Sequence, residues 1–213
     1  TCQDAITSHV PQSEIDKMKA DDRLPRQYAL DEGIVFFHRD WCWTNRAENE
    51  IRVIVDAVRA QIEAYASDVD TVLVPGAGAG RFACELAGTF DACYAFDYCA
   101  HMAQIFYDLV ERGLTLYRVN LRSNVIRRED VVIEDVLSID ASGERRIRKI
   151  LEQGRLTYFV GNALDVPIAA GSLSAIACIY FIDLVSIKTH LKEIGRTLKP
   201  NGLFINFGPL RYM

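Results

Sequence analysis

The sequence predicts an α/β protein, a doubly wound and mostly parallel sheet preceded by an N-terminal helical extension. Three observations carry that expectation. From residue 71 onward, short apolar runs of strand character alternate with amphipathic stretches of helical period. That alternation belongs to a parallel sheet covered on both faces. A glycine-rich turn, Gly76, Gly78 and Gly80, follows the first apolar run, and an acid, Asp97, closes the second.

The elements can be placed in order. Gln12 to Ala20 has the form of a short helix, with Arg23-Leu24-Pro25 as its end. Asn45, with Glu48 three residues later, reads as a helix N-cap. Ile51, Ile54, Val55, Val58, Ile62 and Tyr65 then recur at helical spacing, and the helix should stop near Ser67 to Asp70. Val72 to Val74 is a buried strand closed by Pro75, Arg81 to Gly88 a helix, and Cys93 to Phe96 a second strand. Cys99 to Arg112 is a helix ended by Gly113. Residues 114 to 153 receive no firm assignment, "DVVIEDVLSID" fitting an irregular strand or a loop. Beyond them come strand "LTYFV", loop "GNALDVPIAAGS", strand "SAIACIYF", helix "LVSIKTHLKEIGRTL", turn "KPNG" and strand "LFINF". The division expected is an extension over 1–66 and a sheet domain over 67–213. Sheets of this class usually carry more than the five strands counted, so the last strands are expected to be missing.

Composition narrows the function. The chain has 213 residues, 50% hydrophobic and 25% charged, enough for one globular domain with a sizeable core. A net charge of −5 argues against general nucleic-acid binding. Arginines at 118, 122, 127, 128, 145, 146 and 148 are interleaved with acids, as on a solvated charged face. The six cysteines show no C-x-x-C pair and no zinc-ligand spacing, so free thiols, a reducing compartment and no metal are expected. No stretch approaches the ~20 apolar residues of a membrane span, and no signal peptide is seen at the start. The expected location is cytoplasmic.

The glycine loop carries the chemistry. Ligands of doubly wound sheets sit at the carboxyl ends of the strands, where glycines let the backbone turn tightly and approach closely. A dinucleotide fingerprint would require glycine at 81, which is Arg81, and there is no Gly-Lys-Ser/Thr P-loop. The G-x-G-x-G form resembles motif I of class I S-adenosylmethionine-dependent methyltransferases. Asp97 suits a ribose diol, because a carboxylate can accept both hydroxyl hydrogen bonds. That superfamily commonly places a Gly-Asp pair after the third strand to read the adenine amino group. Here the pair is Gly161-Asn162, whose amide carbonyl can accept the same hydrogen bond.

"FFHRDWCWTNRAEN", "VLVPGAGAGR", "IYFID" and "INFGPLRY" occur in this order. Together they resemble the carnosine N-methyltransferase (N2227-like) family over residues 36 to 213, with Pro75 as a family mark. The resemblance implies a Rossmann-like methyltransferase domain, S-adenosyl-L-methionine as cofactor, and methylation of an imidazole nitrogen in a histidine-containing dipeptide or related small molecule. It implies Arg39 on the methionine carboxylate and Gly76, Gly78, Gly80 and Arg81 along the cofactor. Asp97 would take the ribose, and Asn162 with Ala163 the adenine. Asp183 would face the imidazole as the catalytic group, and Tyr212 would line the substrate pocket. The partner implied is a small-molecule or dipeptide substrate, with neither nucleic acid nor membrane; a homodimer is left open.

Bland readings stand beside these. Asp183 suits the N-cap of a helix starting at Leu184. Arg39 suits a surface arginine stacked on Trp41 or Trp43. His101 and His190 read as structural or solvated, and His38 has no assigned role. The sequence departs from the family pattern at Phe36, Asn162 and Met213, where the family has Gln, Asp and His, and at Asp97, where it has Glu. Those departures motivate the alternative of a methyltransferase-fold protein kept as a binding or assembly module without catalysis. A nicotinamide-dependent enzyme is disfavoured by Arg81 and by the lack of a Tyr-x-x-x-Lys set.

Overall fold

A computed structural model describes residues 13, 16, 30–42, 50–119, 127, 131–139, 145–185 and 187–208. The Asn45–Glu48 cap, Trp43, Tyr212 and Met213 lie outside the described residues, as does the expected 12–20 helix apart from Ser13 and Asp16. The described elements are α1 (Leu30–Phe37), a π-helical turn (His38–Cys42), α2 (Glu50–Tyr65), β1 (Thr71–Pro75), α3 (Arg81–Leu86), β2 (Ala92–Asp97) and α4 (Ala100–Arg112). They continue with β3 (Leu114–Val119), β4 (Val132–Leu137), α5 (Arg145–Glu152), β5 (Leu156–Val160), β6 (Leu173–Ile179), a 3₁₀ turn (Ile182–Leu184), α6 (Ile187–Thr197) and β7 (Leu198–Phe207).

Five strands form one sheet in the order β5-β2-β1-β6-β7, and every pairing within it is parallel. The expected doubly wound class is what the chain adopts. Successive residues of β1 point to opposite faces. Val72 and Val74 join the larger core, with Ile54, Val58, Phe82, Leu86, Phe106 and Ile147 from α2 to α5. Leu73 joins the smaller one, with Ile176, Phe181 and Ile194 of α6. All seven residues of β6 are buried, as a strand covered on both faces requires. Five aliphatics of α2 (Ile51, Ile54, Val55, Val58, Ile62) are buried in one stripe. Each such burial is worth ~1.5–3 kcal/mol, so α2 is fastened to the sheet through its apolar face.

One open stretch is settled and two expectations need correction. The unassigned 114–153 stretch contains an antiparallel hairpin, β3 with β4, and the helix α5. The hairpin pairs only with itself within the described residues, and α5 has just two fully buried apolar residues, Ile147 and Ile150, among its charges. All three elements are short, six or eight residues, and the helix is mostly charged, so none stands out as an apolar run. The "KPNG" turn is built into β7: the ladder steps from Leu173–Leu198 to Ala175–Leu203, and Asn201 takes φ 62° within the resulting irregularity. Finally, β6 ends at Ile179 because Tyr180 has φ 56°, and α6 starts only at Ile187 after the 3₁₀ turn. No described helix is long and apolar enough to cross a membrane, and the five described cysteines are free thiols.

Candidate active site at the carboxyl edge of the sheet

Strand order reverses beside β1, so the loops after β1 and β6 diverge and open a crevice at the carboxyl edge. The glycine loop follows β1 there. Gly76, Gly78 and Gly80 have φ of 61°, 52° and 78°, a region other residues rarely occupy. Two of them are also closely packed. A Cβ on Gly76 would fall 2.0 Å from the ring of Phe181, and one on Gly80 2.4 Å from the ring of Phe106. Gly78 is open instead, with Met102 Cε, 3.8 Å from such a Cβ, the nearest atom.

The loop is held from three directions. The amide of Gly78 donates to Asp97 Oδ2 at 3.0 Å. The carbonyl of Gly78 accepts the Tyr158 hydroxyl at 2.8 Å. The carbonyl of Ala79 accepts the indole N–H of Trp41 at 2.9 Å. Trp41 comes from the π-helical turn and Tyr158 from β5, where its ring stacks on Phe106 at 4.9 Å between centroids. The sequence reading gave neither residue a part in holding the loop. Trp41 sits in the quoted Arg-Asp-Trp segment, and that is the signal that could have found it; Tyr158 in "LTYFV" looks like any strand aromatic.

Arg81, expected along the cofactor, is buried at the start of α3. Its guanidinium lies over the Trp41 ring, 4.9 Å from the centroid, and pairs with Glu85 one turn on at 3.0 Å. Glu85 is buried and also accepts from Arg59 of α2 and Arg146 of α5. Burial works to raise its carboxyl, and the surrounding arginines outweigh that and hold it below the ordinary range. The arginine stacked on Trp41 is therefore Arg81. Arg39 instead lies between Phe36 and Tyr180, 5.2 and 5.4 Å from their centroids, with its Nε on Asp40.

Asp97 ends β2. Burial pushes its carboxyl up, and the amides of Cys99 and Gly78 oppose that. Oδ1 accepts from Cys99 N at 2.9 Å and Oδ2 from Gly78 N. Each carboxylate oxygen has a further lone pair, so a diol can still donate to both. Its backbone carbonyl accepts Gly161 N at 3.0 Å, which ties the β2 edge to the loop after β5. In that loop Asn162 Oδ1 accepts Leu164 N at 2.9 Å, closing a local turn. Its oxygen retains one lone pair for another donor. Ala163 is buried, and its carbonyl lies 3.2 Å from His190 Nδ1. A carbonyl only accepts, so Nδ1 carries the proton and Nε2 faces the Cys178 sulfur at 3.6 Å. His190 is thus the structural histidine expected, and it anchors the loop to α6 and β6.

Asp183 lies half-buried in the 3₁₀ turn after β6, two residues past the Phe181 ring packed on Gly76. It does not cap α6, which begins four residues later. Tyr180, in its left-handed conformation, donates its hydroxyl to Glu50 at the start of α2. Non-glycine residues held at positive φ cluster at functional sites. The structure thus gathers Arg39, the glycine loop, Asp97, Asn162, Ala163 and Asp183 along one edge.

Residues 27–213 match the sequence profile of the family described as carnosine N-methyltransferase. The chain belongs to that family. It is 29% identical over 189 residues to carnosine N-methyltransferase unmet of Drosophila melanogaster, covering 82% of this chain and 40% of that one. Against carnosine N-methyltransferase of Mus musculus it is 26% identical over 186 residues, covering 83% and 46%. The chain therefore spans less than half the length of these carnosine N-methyltransferases.

Among solved structures it is similar to a Methanococcus maripaludis protein assigned to the S-adenosyl-L-methionine-dependent methyltransferases. The TM-score is 0.55 at 15% identity, over 86% of this chain and 66% of that one. An S-adenosylmethionine-dependent methyltransferase of Clostridium acetobutylicum gives 0.50 at 15% identity, over 83% and 56%. These likenesses bear on fold alone and agree with the class I, Rossmann-like methyltransferase fold expected for a carnosine N-methyltransferase family member.

Proposed function

We propose that the chain is the catalytic part of an S-adenosyl-L-methionine-dependent N-methyltransferase acting on the imidazole of a histidine-containing dipeptide, carnosine to anserine, or a related small molecule. The observation that carries the proposal is the double hold on Asp97. One oxygen is fixed by Gly78 of the glycine loop and the other by Cys99, which leaves the carboxylate aimed and still able to accept a diol. The donor set fits an uncharged ribose beside a sulfonium. Gly78 is open to close approach, and Arg81 is turned under Trp41 rather than toward a pyrophosphate.

When bound, S-adenosylmethionine supplies an activated methyl group on a sulfonium. The chain's residues then have the task of holding an acceptor in place. In this reading Arg39 binds the methionine carboxylate, Gly76, Gly78, Gly80 and Arg81 shape the floor, and Asn162 with Ala163 border the adenine. Asp183 accepts the imidazole N–H, which fixes the tautomer and leaves the other nitrogen's lone pair as nucleophile. The bond from methyl to sulfur would break as the bond to nitrogen forms. The ring would turn cationic, and the Asp183 carboxylate would stabilise it and then take its N–H proton, leaving a neutral methylated imidazole. Alignment of the reacting atoms at ~3 Å supplies much of the rate. The reading also assigns Tyr212, which lies outside the described residues, to the acceptor pocket.

Calorimetry tests the cofactor reading. S-adenosylmethionine should bind in the micromolar range, with a loss of ~10-fold or more in Asp97→Ala, since two charge-assisted hydrogen bonds disappear. A folded wild-type chain that binds NADH and not S-adenosylmethionine would contradict it. One observation favours the non-catalytic alternative: Asn162, standing where the family has Asp, has no charge and has only one lone pair of its Oδ1 left beside the Leu164 bond. Under that alternative the folded wild-type chain shows no micromolar S-adenosylmethionine binding.

A further inference from the structure

We infer that His38, Cys42 and Asp135 form a binding site for a zinc-class divalent cation, a site independent of the methyl-transfer chemistry. His38 and Cys42 are one turn apart on the π-helical segment, and Asp135 reaches them from β4, which packs against that segment. His38 Nδ1 is 3.5 Å from Cys42 Sγ and 3.5 Å from Asp135 Oδ2, and the three donor atoms lie within 4.8 Å of one another. Zinc bonds of ~2.0–2.3 Å in a tetrahedron place neighbouring ligand atoms ~3.3–3.7 Å apart. Both edges from His38 already have that length.

The chemistry is equally selective. Thiolate, imidazole and carboxylate together suit zinc, whereas calcium and magnesium want oxygen donors. One thiolate and one carboxylate neutralise a divalent ion. Arg118 Nε donates to Asp135 Oδ2 at 2.7 Å, the outer hydrogen bond that aims a ligating carboxylate. An oxygen holding that bond still has a lone pair for a metal. His38 is buried, while Cys42 and Asp135 are partly exposed, so an ion has a way in. A fourth position is left for water. The ligands escape a search for C-x-x-C because only two are close in sequence, with a His-x-x-x-Cys spacing, and the third is 93 residues further on. Without metal, Asp135 keeps Arg118 and the fold does not depend on the ion. With metal, the β3–β4 hairpin is fastened to the turn that carries Arg39 and Trp41.

The test is titration of the chelator-treated full chain with Co²⁺, followed by Zn²⁺ competition. The expected result is one Co²⁺ per chain with a thiolate-to-cobalt charge-transfer band, displaced by one equivalent of Zn²⁺, and a rise in Tm with added Zn²⁺. Zinc affinity should fall ~100-fold or more in Cys42→Ser and in His38→Asn, and by less than about twofold in Cys99→Ser. Circular dichroism identifies any variant that has not folded, and the wild-type band alone then decides. Absence of the thiolate band in folded wild-type protein, or its persistence in Cys42→Ser, overturns the proposal. Neither outcome bears on S-adenosylmethionine binding.

Discussion

The indole nitrogen of Trp41 donates to the carbonyl oxygen of Ala79 at 2.9 Å, so one hydrogen bond fastens the N-terminal arm to the glycine loop. The bond is buried, and the same indole ring carries the guanidinium of Arg81. Trp41→Phe keeps an aromatic face and removes the donor. It should cost ~1–2 kcal/mol, because a buried carbonyl loses its partner. Urea denaturation measures the stability change, and calorimetry should show weaker S-adenosylmethionine binding.

Asp97 gives a pH signature. Its carboxyl is raised above 3.8 by burial, opposed by backbone amides. The folded chain thus holds this proton more tightly than the unfolded one. Asp97's contribution to stability falls as pH rises through the window from 3.8 to the raised value, and is constant above it. Ribose hydroxyls would bind the charged form. S-adenosylmethionine affinity should therefore be flat near neutrality and drop on acidification, beginning above the ordinary carboxylate range. Calorimetry across that range, with Asp97→Asn as a variant lacking the drop, checks it.

Glu85 holds α2, α3 and α5 together through Arg59, Arg81 and Arg146. Glu85→Ala leaves the buried Arg81 without that carboxylate while the partly exposed Arg59 and Arg146 regain water, and should cost ~3 kcal/mol. The folded-state pKa is lowered from 4.5, so the wild-type contribution is present above that value and is lost as pH falls through the lower one. Chemical denaturation at neutral and acidic pH should show the variant's deficit shrinking in acid.

His190 is kept neutral. Burial lowers its pKa from 6.5, while Ala163 and Glu193 act in the opposite direction. A depressed pKa means the unfolded chain takes the proton first, so stability falls as pH drops through 6.5 toward the folded value. His190→Asn retains a donor for Ala163 and removes the titration. Between neutral pH and about 5.5 its stability profile should be flatter than that of the wild type.

Much of this was legible in the sequence because local rules agree with the global fold. The α2 stripe, Gly113 as the stop of α4, and the three loop glycines all follow from periodicity and backbone freedom. The place of Asp97 at the end of β2 was legible because the apolar run stops at that acid. What stayed hidden depends on distance in sequence. Trp41 meets Ala79 across 38 residues and Tyr158 meets Gly78 across 80. Glu85 looks like a stray acid in an apolar helix until three arginines from separate elements converge on it. Arg39 was paired with the wrong aromatics for the same reason: Tyr180 lies 141 residues away and faces it only because its backbone leaves the β region.

The central claim is that Asp183 directs methyl transfer to an imidazole at this edge, and transfer of labelled methyl from S-adenosylmethionine to carnosine tests it most directly. The account predicts transfer by the wild-type protein, and a loss of ~100-fold or more in kcat for Asp183→Asn with S-adenosylmethionine affinity intact, since the amide no longer stabilises the cationic ring. Full transfer by Asp183→Asn, or S-adenosylmethionine binding by the wild type with no transfer to any imidazole compound, would contradict it.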